Sequence, residues 1–187
     1  VGSISYRIVL TDVPGAPNGV QATAGDGQAT VSWVVGTSGG MPVTDFEIAS
    51  SDDNGATWRI FADGTSTATT VTVAPLTNGT PYVFRVRAQN AIGWSEWSAV
   101  SAPVVPQVPA PTSVAGVPGN GQVVVSWVAP VVAGSTVIGD YVIDFSSNGG
   151  TSWIRFADGT STATSATVTG LTNGTTYVFR VAAVSAG

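Results

Sequence analysis

Leu76-Thr-Asn-Gly-Thr-Pro-Tyr-Val-Phe-Arg-Val-Arg-Ala-Gln-Asn90 returns 95 residues later as Leu171-Thr-Asn-Gly-Thr-Thr-Tyr-Val-Phe-Arg-Val-Ala-Ala-Val-Ser185. Each copy carries an Asn-Gly pair at its third and fourth positions, which suits a tight turn because both residues tolerate positive φ. Alternation follows. Tyr82, Phe84 and Val86 fall on one side and Arg85 and Arg87 on the other, the period of two that a half-buried strand requires.

The repetition extends on both sides of this stretch. Phe61–Thr69 recurs unchanged at Phe156–Thr164, again displaced by 95, whereas Val31-Ser-Trp33 matches Val125-Ser-Trp127 at 94. The one-residue difference falls between Trp33 and Phe46, in the Gly/Ser-rich stretch Gly36–Gly40. That stretch is a loop, since an insertion inside a strand would flip its faces. Gln28–Val34 alternates, with Val31 and Trp33 on one face, and Phe46 and Ile48 share a face opposite Asp45 and Glu47. Asp53-Asn-Gly55 and Asn148-Gly-Gly150 supply hairpin turns. No helical period appears. Pro103–Pro111 separates the copies and reads as a stiff linker. Roughly seven short strands in each copy of about 95 residues indicate an all-β, Greek-key sandwich built twice in tandem.

A Trp in the second strand, an aromatic in the third, and Leu-x5-Tyr ahead of a long alternating strand resemble fibronectin type III domains, which are immunoglobulin-like in fold. Leu76 with Tyr82, and Leu171 with Tyr177, keep the spacing of that family's tyrosine corner, in which the phenol bonds back to upstream backbone. The resemblance implies Trp33 and Trp127 as core anchors. It divides the chain into an orphan last-strand segment at 1–12, one domain at 13–105, and a second at 106–187. The second domain ends after its sixth strand and so lacks its own last one. Function does not transfer with the fold.

The two ends fit each other. Continuing the repeat from Gly187 into Val1 places Ser3 on Ser95, Ile8 on Val100 and Val13-Pro14 on Val105-Pro106. Ile4–Leu10 then reads as a last strand without its domain, with Ile4, Tyr6 and Ile8 as strand-donor side chains. Family termini lie at opposite poles, so such a strand would pair with another molecule or belong to a longer covalent array. A segment cut from a large protein is the plainer alternative. A start at Val1 rather than Met suits a processed or excised chain.

Composition excludes several functions. Eleven acids face six arginines and no lysine, so no basic patch exists for nucleic acid or an anionic membrane. Histidine and cysteine are absent, which removes the usual general base, the thiol nucleophile, most transition-metal ligands and every disulfide. No phosphate loop, nucleophile elbow or glycosidase-like acid pair is recognisable. The expectation is a non-enzyme with no catalytic residue, cofactor or metal. Asp52-Asp53-Asn54 offers oxygen ligands for calcium, but a solvated hairpin tip explains it more simply.

Trp94-Ser-Glu-Trp-Ser98, preceded by outward Arg85 and Arg87, resembles the WSxWS element of class I cytokine receptors. That resemblance implies a ladder of interleaved indoles and guanidiniums, read here as stiffening. Trp58 and Trp153 stand at matched positions as candidate sugar or lattice contacts. Asn78-Gly-Thr80 and Asn173-Gly-Thr175 are formal glycosylation sequons that equally serve the turn.

The near-identical, low-charge repeats resemble bacterial or archaeal secreted fibronectin-type arrays. The expected role is that of an extracellular or cell-surface structural and interaction protein. It would be a protomer or repeat of a head-to-tail filament, sheath or adhesin stalk, with copies of itself or adjacent repeats as partners. A carbohydrate-associated accessory module of a secreted hydrolase, or a receptor-type ligand-binding ectodomain, are the alternatives.

Overall fold

The computed structural model describes residues 10–133 and 136–186, so Ile4, Tyr6 and Ile8 lie outside the described residues. The described chain contains strands and no helix. It separates into two compact units that change over between Pro106 and Gln107.

In the first unit, β1 (Asn18–Gly25), β2 (Gln28–Val34) and β5 (Thr70–Val73) form one sheet in the order β1-β2-β5. The other sheet has β3 (Asp45–Ser51) between β4 (Arg59–Phe61) and β6 (Val83–Gln89). All pairing of β3 with β4 and β6 is antiparallel, with Ile48 opposite both Phe61 and Val86. Alternation delivers Val31 and Trp33 from β2 and Phe46, Ile48, Phe84 and Val86 from β3 and β6 into one core. Trp33 meets Phe46 edge-on, with centroids 5.3 Å apart. Burying each such side chain contributes about 1.5–3 kcal/mol, the dominant favourable term where no disulfide can help.

The expected seventh strand takes another form. Beyond β6 the chain returns alongside it, but it meets β6 through Ser95, Ser98, Ser101 and Val104, at every third residue. Val104 exchanges both backbone hydrogen bonds with Tyr82, at 2.8 and 2.9 Å. Pro106 is fully buried, and its carbonyl accepts the Gly79 N–H at 2.8 Å. Residues 103–106 therefore belong to the first sandwich and not to a linker.

The second unit repeats the plan with β7 (Thr112–Gly119), β8 (Gln122–Val128) and β11 (Ser165–Thr169) in the order β11-β8-β7. Its other sheet places β9 (Ile138–Ser146) between β10 (Ile154–Arg155) and β12 (Val178–Ser185). Val125, Trp127, Tyr141, Ile143, Val168 and Val181 make the core. Two matched aspartates, Asp45 and Asp140, each accept a backbone N–H from the repeated Asp-Gly-Thr-Ser loop, at Ser66 (2.9 Å) and Ser161 (2.8 Å). One edge of β12 pairs with β9, and no described residue pairs with the other.

Candidate interaction surface: a ladder and an uncovered edge

Arg85 and Arg87 leave β6 on its outward face because Phe84, Val86 and Ala88 take the inward one. The chain following β6 lies beside them. There, Ser95, Ser98 and Ser101 donate their N–H groups to the carbonyls of Ala88, Val86 and Phe84 at 2.8–2.9 Å. The N–H groups of those same three residues donate to the serine hydroxyl oxygens at 3.0 Å. A three-residue period, that of an extended left-handed helix, thus satisfies a two-residue strand, with the hydroxyl standing in for the carbonyl that the geometry turns away.

The same period projects Trp94 and Trp97 over the arginines. The Arg85 guanidinium carbon lies 4.1 Å from the Trp58 ring and 4.4 Å from the Trp97 ring. That of Arg87 lies 4.6 Å from Trp97 and 4.7 Å from Trp94. The stack reads Trp58, Arg85, Trp97, Arg87, Trp94. Glu47, the cross-strand neighbour of Arg87 on β3, pairs with it. Burial between the indoles pushes the Arg85 guanidinium below its ordinary value, and the charge of Arg87 adds to the effect. Trp58, singled out in the sequence for sugar or lattice contact, holds one end of this stack. Its place there depends on β4 folding back along β3 through the Asp53-Asn-Gly55 turn and on β6 pairing with the other edge of β3, which no local pattern signals.

The second unit carries a reduced version. Trp153 stacks on Arg180 at 4.3 Å. Asp144 on β9 accepts from Arg180 Nε at 2.9 Å and pairs with Arg155 at 3.4 Å. Ala182 replaces the second arginine, and no described indole covers the other face of Arg180. The Trp58 and Trp153 rings thus each give one face to a guanidinium.

Each tyrosine hydroxyl of the repeat accepts a backbone N–H five residues upstream, Tyr82 from Thr77 at 3.2 Å and Tyr177 from Thr172 at 3.1 Å. Leu76 and Leu171 pack against the respective cores. Beside Tyr177 the two units diverge. Val114, Gly116 and Pro118 of β7 and Tyr177, Val178 and Phe179 line an open groove of about 460 Å³. In the first unit Val104 and Pro106 occupy the matching position. The exposures record the difference, since Val83 is 4% exposed and its counterpart Val178 is 38%.

The acidic positions are occupied structurally. The Asp53 carboxylate accepts from the Ser51 hydroxyl and from both the N–H and hydroxyl of Thr57, at 2.6–2.8 Å. These bonds, those of Thr57 foremost, hold its pKa at about 2. Asn148 forms the same clasp with Ser146 and Ser152. Among the described residues no group of three or more acids could hold a metal ion. The Asn173 side chain ties down the Asn120-Gly121 turn through bonds of 2.7 and 2.8 Å.

The family model for the fibronectin type III domain matches residues 15–104 and 108–187. Human myomesin-2 is 32% identical over 192 residues, which covers 98% of this chain and 13% of that protein. Chicken fast-type myosin-binding protein C is 27% identical over 193 residues, covering 98% of this chain and 17% of the relative. The chain therefore spans less than a fifth of these curated relatives. A crystal structure of chicken CNTN1 FN1-FN3 domains aligns over 91% of this chain and 61% of that one, with 21% identity and a TM-score of 0.48.

Proposed function

The chain belongs to the fibronectin type III domain family, and on that premise we propose that it is a non-catalytic extracellular structural module. It acts as a protomer or repeat of a head-to-tail surface filament, sheath or adhesin stalk. The supporting observation is the tandem repetition of one sandwich plan, with the first copy closed along β6 by its own serine segment and braced by the indole–guanidinium stack. Repeats of one plan joined in line build an extended stalk or fibre. A head-to-tail contact that does not close on itself extends into a fibre.

The extracellular placement rests on the lysine-free, low-charge repeats, which resemble secreted arrays. The ladder contributes stiffness, since two cations held between three indoles restrain β6 against the segment beside it. No observation favours carbohydrate binding over this reading, and the Trp58 and Trp153 rings each already give one face to a guanidinium.

Sedimentation velocity over a wide concentration range, with electron microscopy of the same samples, tests the proposal. Growing oligomers and fibres with an axial period of two domains are expected. A single monomeric species at every concentration would defeat it.

A further inference from the structure

We infer that the Arg85 guanidinium anchors a carboxylate of a partner protein, an Asp or Glu side chain that approaches the outward face of the β4-β3-β6 sheet beside Ile60. The inference stands independently of the head-to-tail reading above, since it concerns the first unit alone.

Four of the described arginines already have an acid. Arg59 pairs with Asp52 at 3.8 Å, Arg155 with Asp144 at 3.4 Å and Arg180 with Asp144 at 2.9 Å, and Arg87 pairs with Glu47. Arg85 alone among the described arginines has no carboxylate within reach. All eleven acids of the chain lie among the described residues, so no acid outside them serves it. Its Nε is buried and makes no hydrogen bond. The residue as a whole is half-buried, so the terminal nitrogens form its accessible edge.

The second unit shows what the first one lacks. There a cross-strand row runs Arg155, Asp144, Arg180, with the acid between two cations. The same row in the first unit runs Ile60, Ala49, Arg85. An alanine and an isoleucine stand in place of the acid and one arginine, while the arginine of the third strand is common to both. Ala49 is fully buried, and Ile60 is 51% exposed. The surface beside Arg85 is therefore apolar, with Trp58 and Trp97 against the guanidinium at 4.1 and 4.4 Å.

Such a site matches a single carboxylate. The indoles keep water off the planes of the cation and leave its edge to a hydrogen-bonding partner. A charge-assisted bond made there is stronger than one in open solvent. Lost solvation already pushes the Arg85 guanidinium below its ordinary value, and an arriving carboxylate offsets that cost. Trp and Arg beside exposed apolar area are also the residue types that dominate protein interfaces. A polyanion suits the face less well. Glu47 stands on the same outward face two residues from Ala49, and the chain carries a net charge of −5.

Side-chain NMR of the arginines reads the site directly. The Arg85 Nε–H is unbonded, whereas those of Arg87 and Arg180 donate to Glu47 and Asp144 and serve as internal references. The probes are the tripeptide Leu-Asp-Leu, acetylated and amidated at its ends, and its Leu-Asn-Leu analogue. The aspartyl peptide is expected to move the Arg85 Nε–H resonance saturably at about millimolar concentration and to leave both references in place. The asparaginyl peptide should bind roughly tenfold more weakly, for want of the charge. Ala49→Asp supplies the acid from within, as Asp144 does in the second unit, and should weaken the aspartyl peptide roughly tenfold as well. Arg85→Gln, followed on the indole N–H groups of Trp58 and Trp97, should abolish its binding.

Equal responses to the two peptides would reduce the contact to apolar packing and overturn the inference. A stronger response to inorganic sulfate or to a sulfated oligosaccharide than to the aspartyl peptide would make the face one for polyanions, and overturns it too. No response to millimolar aspartyl peptide leaves Arg85 as a member of the stack and nothing more, which defeats the proposal.

Discussion

Ser98 satisfies both outward backbone groups of Val86, donating its N–H to the carbonyl at 2.9 Å and accepting the N–H on its hydroxyl oxygen at 3.0 Å. The same hydroxyl donates to the Ala99 carbonyl at 2.8 Å. Ser98→Ala strands a buried N–H, and leaving such a donor unpaired costs about 1–3 kcal/mol. Ser98→Thr keeps the acceptor and should lose less. Urea unfolding followed on first-unit signals measures both. An alanine variant as stable as the parent would show that the hydroxyl is dispensable.

The ladder makes a prediction about coupling rather than about single losses. Arg85→Ala and Trp97→Ala each remove contacts to other members of the stack, so only a double-mutant cycle isolates the pair. A coupling energy of roughly 0.5–2 kcal/mol is expected for a guanidinium held between two indoles. A value indistinguishable from zero would reduce the stack to packing.

The two tyrosine corners should respond unequally. Tyr82→Phe and Tyr177→Phe each remove an acceptor from a threonine N–H, a loss of about 0.5–1.5 kcal/mol when water cannot replace it. Tyr82 is buried under Val104, whereas Tyr177 faces the open groove, where water can substitute. Native-state hydrogen exchange, read separately on each unit, should show the larger drop for Tyr82→Phe. Equal drops would mean that the groove does not matter.

Asp53 gives a pH dependence whose sign is fixed. Its folded pKa of about 2 lies below the ordinary 3.8. The stabilisation is therefore complete above about pH 4 and is lost as pH falls toward 2. Thr57→Val removes the leading cause and should bring the value back toward 3.8, as followed by the side-chain carboxyl shift in NMR. Asn148 occupies the matching turn and does not titrate, so acid should loosen the 51–57 hairpin and leave 146–152 unchanged. A Thr57→Val variant with an unmoved Asp53 would contradict the assignment.

Strands announced by alternation were legible in the sequence. Trp33, Phe46, Phe84 and their repeats fall on inward faces because a period of two and a buried side leave no other arrangement. The serine segment was not legible in this way, because Ser95, Ser98 and Ser101 follow a period that hydrophobic patterning does not detect. Their role emerges only against the N–H groups of β6. The place of Trp58 in the stack was not legible for a related reason. Its partner Arg85 lies 27 residues along the chain, and only pairing through β3 brings the two together. Asp144 carried no signal at all, since the residue at the matching position of the first copy is Ala49.

The three-residue period has one more consequence. A segment that spends both its N–H groups and its hydroxyls on β6 does not repeat the strand's pattern on its far side, so it offers no ladder for a further chain to copy. The first sandwich is thereby blunted against edge-to-edge aggregation, a protection that other β-proteins obtain from lysines on their outermost strands and that this lysine-free sequence must find elsewhere.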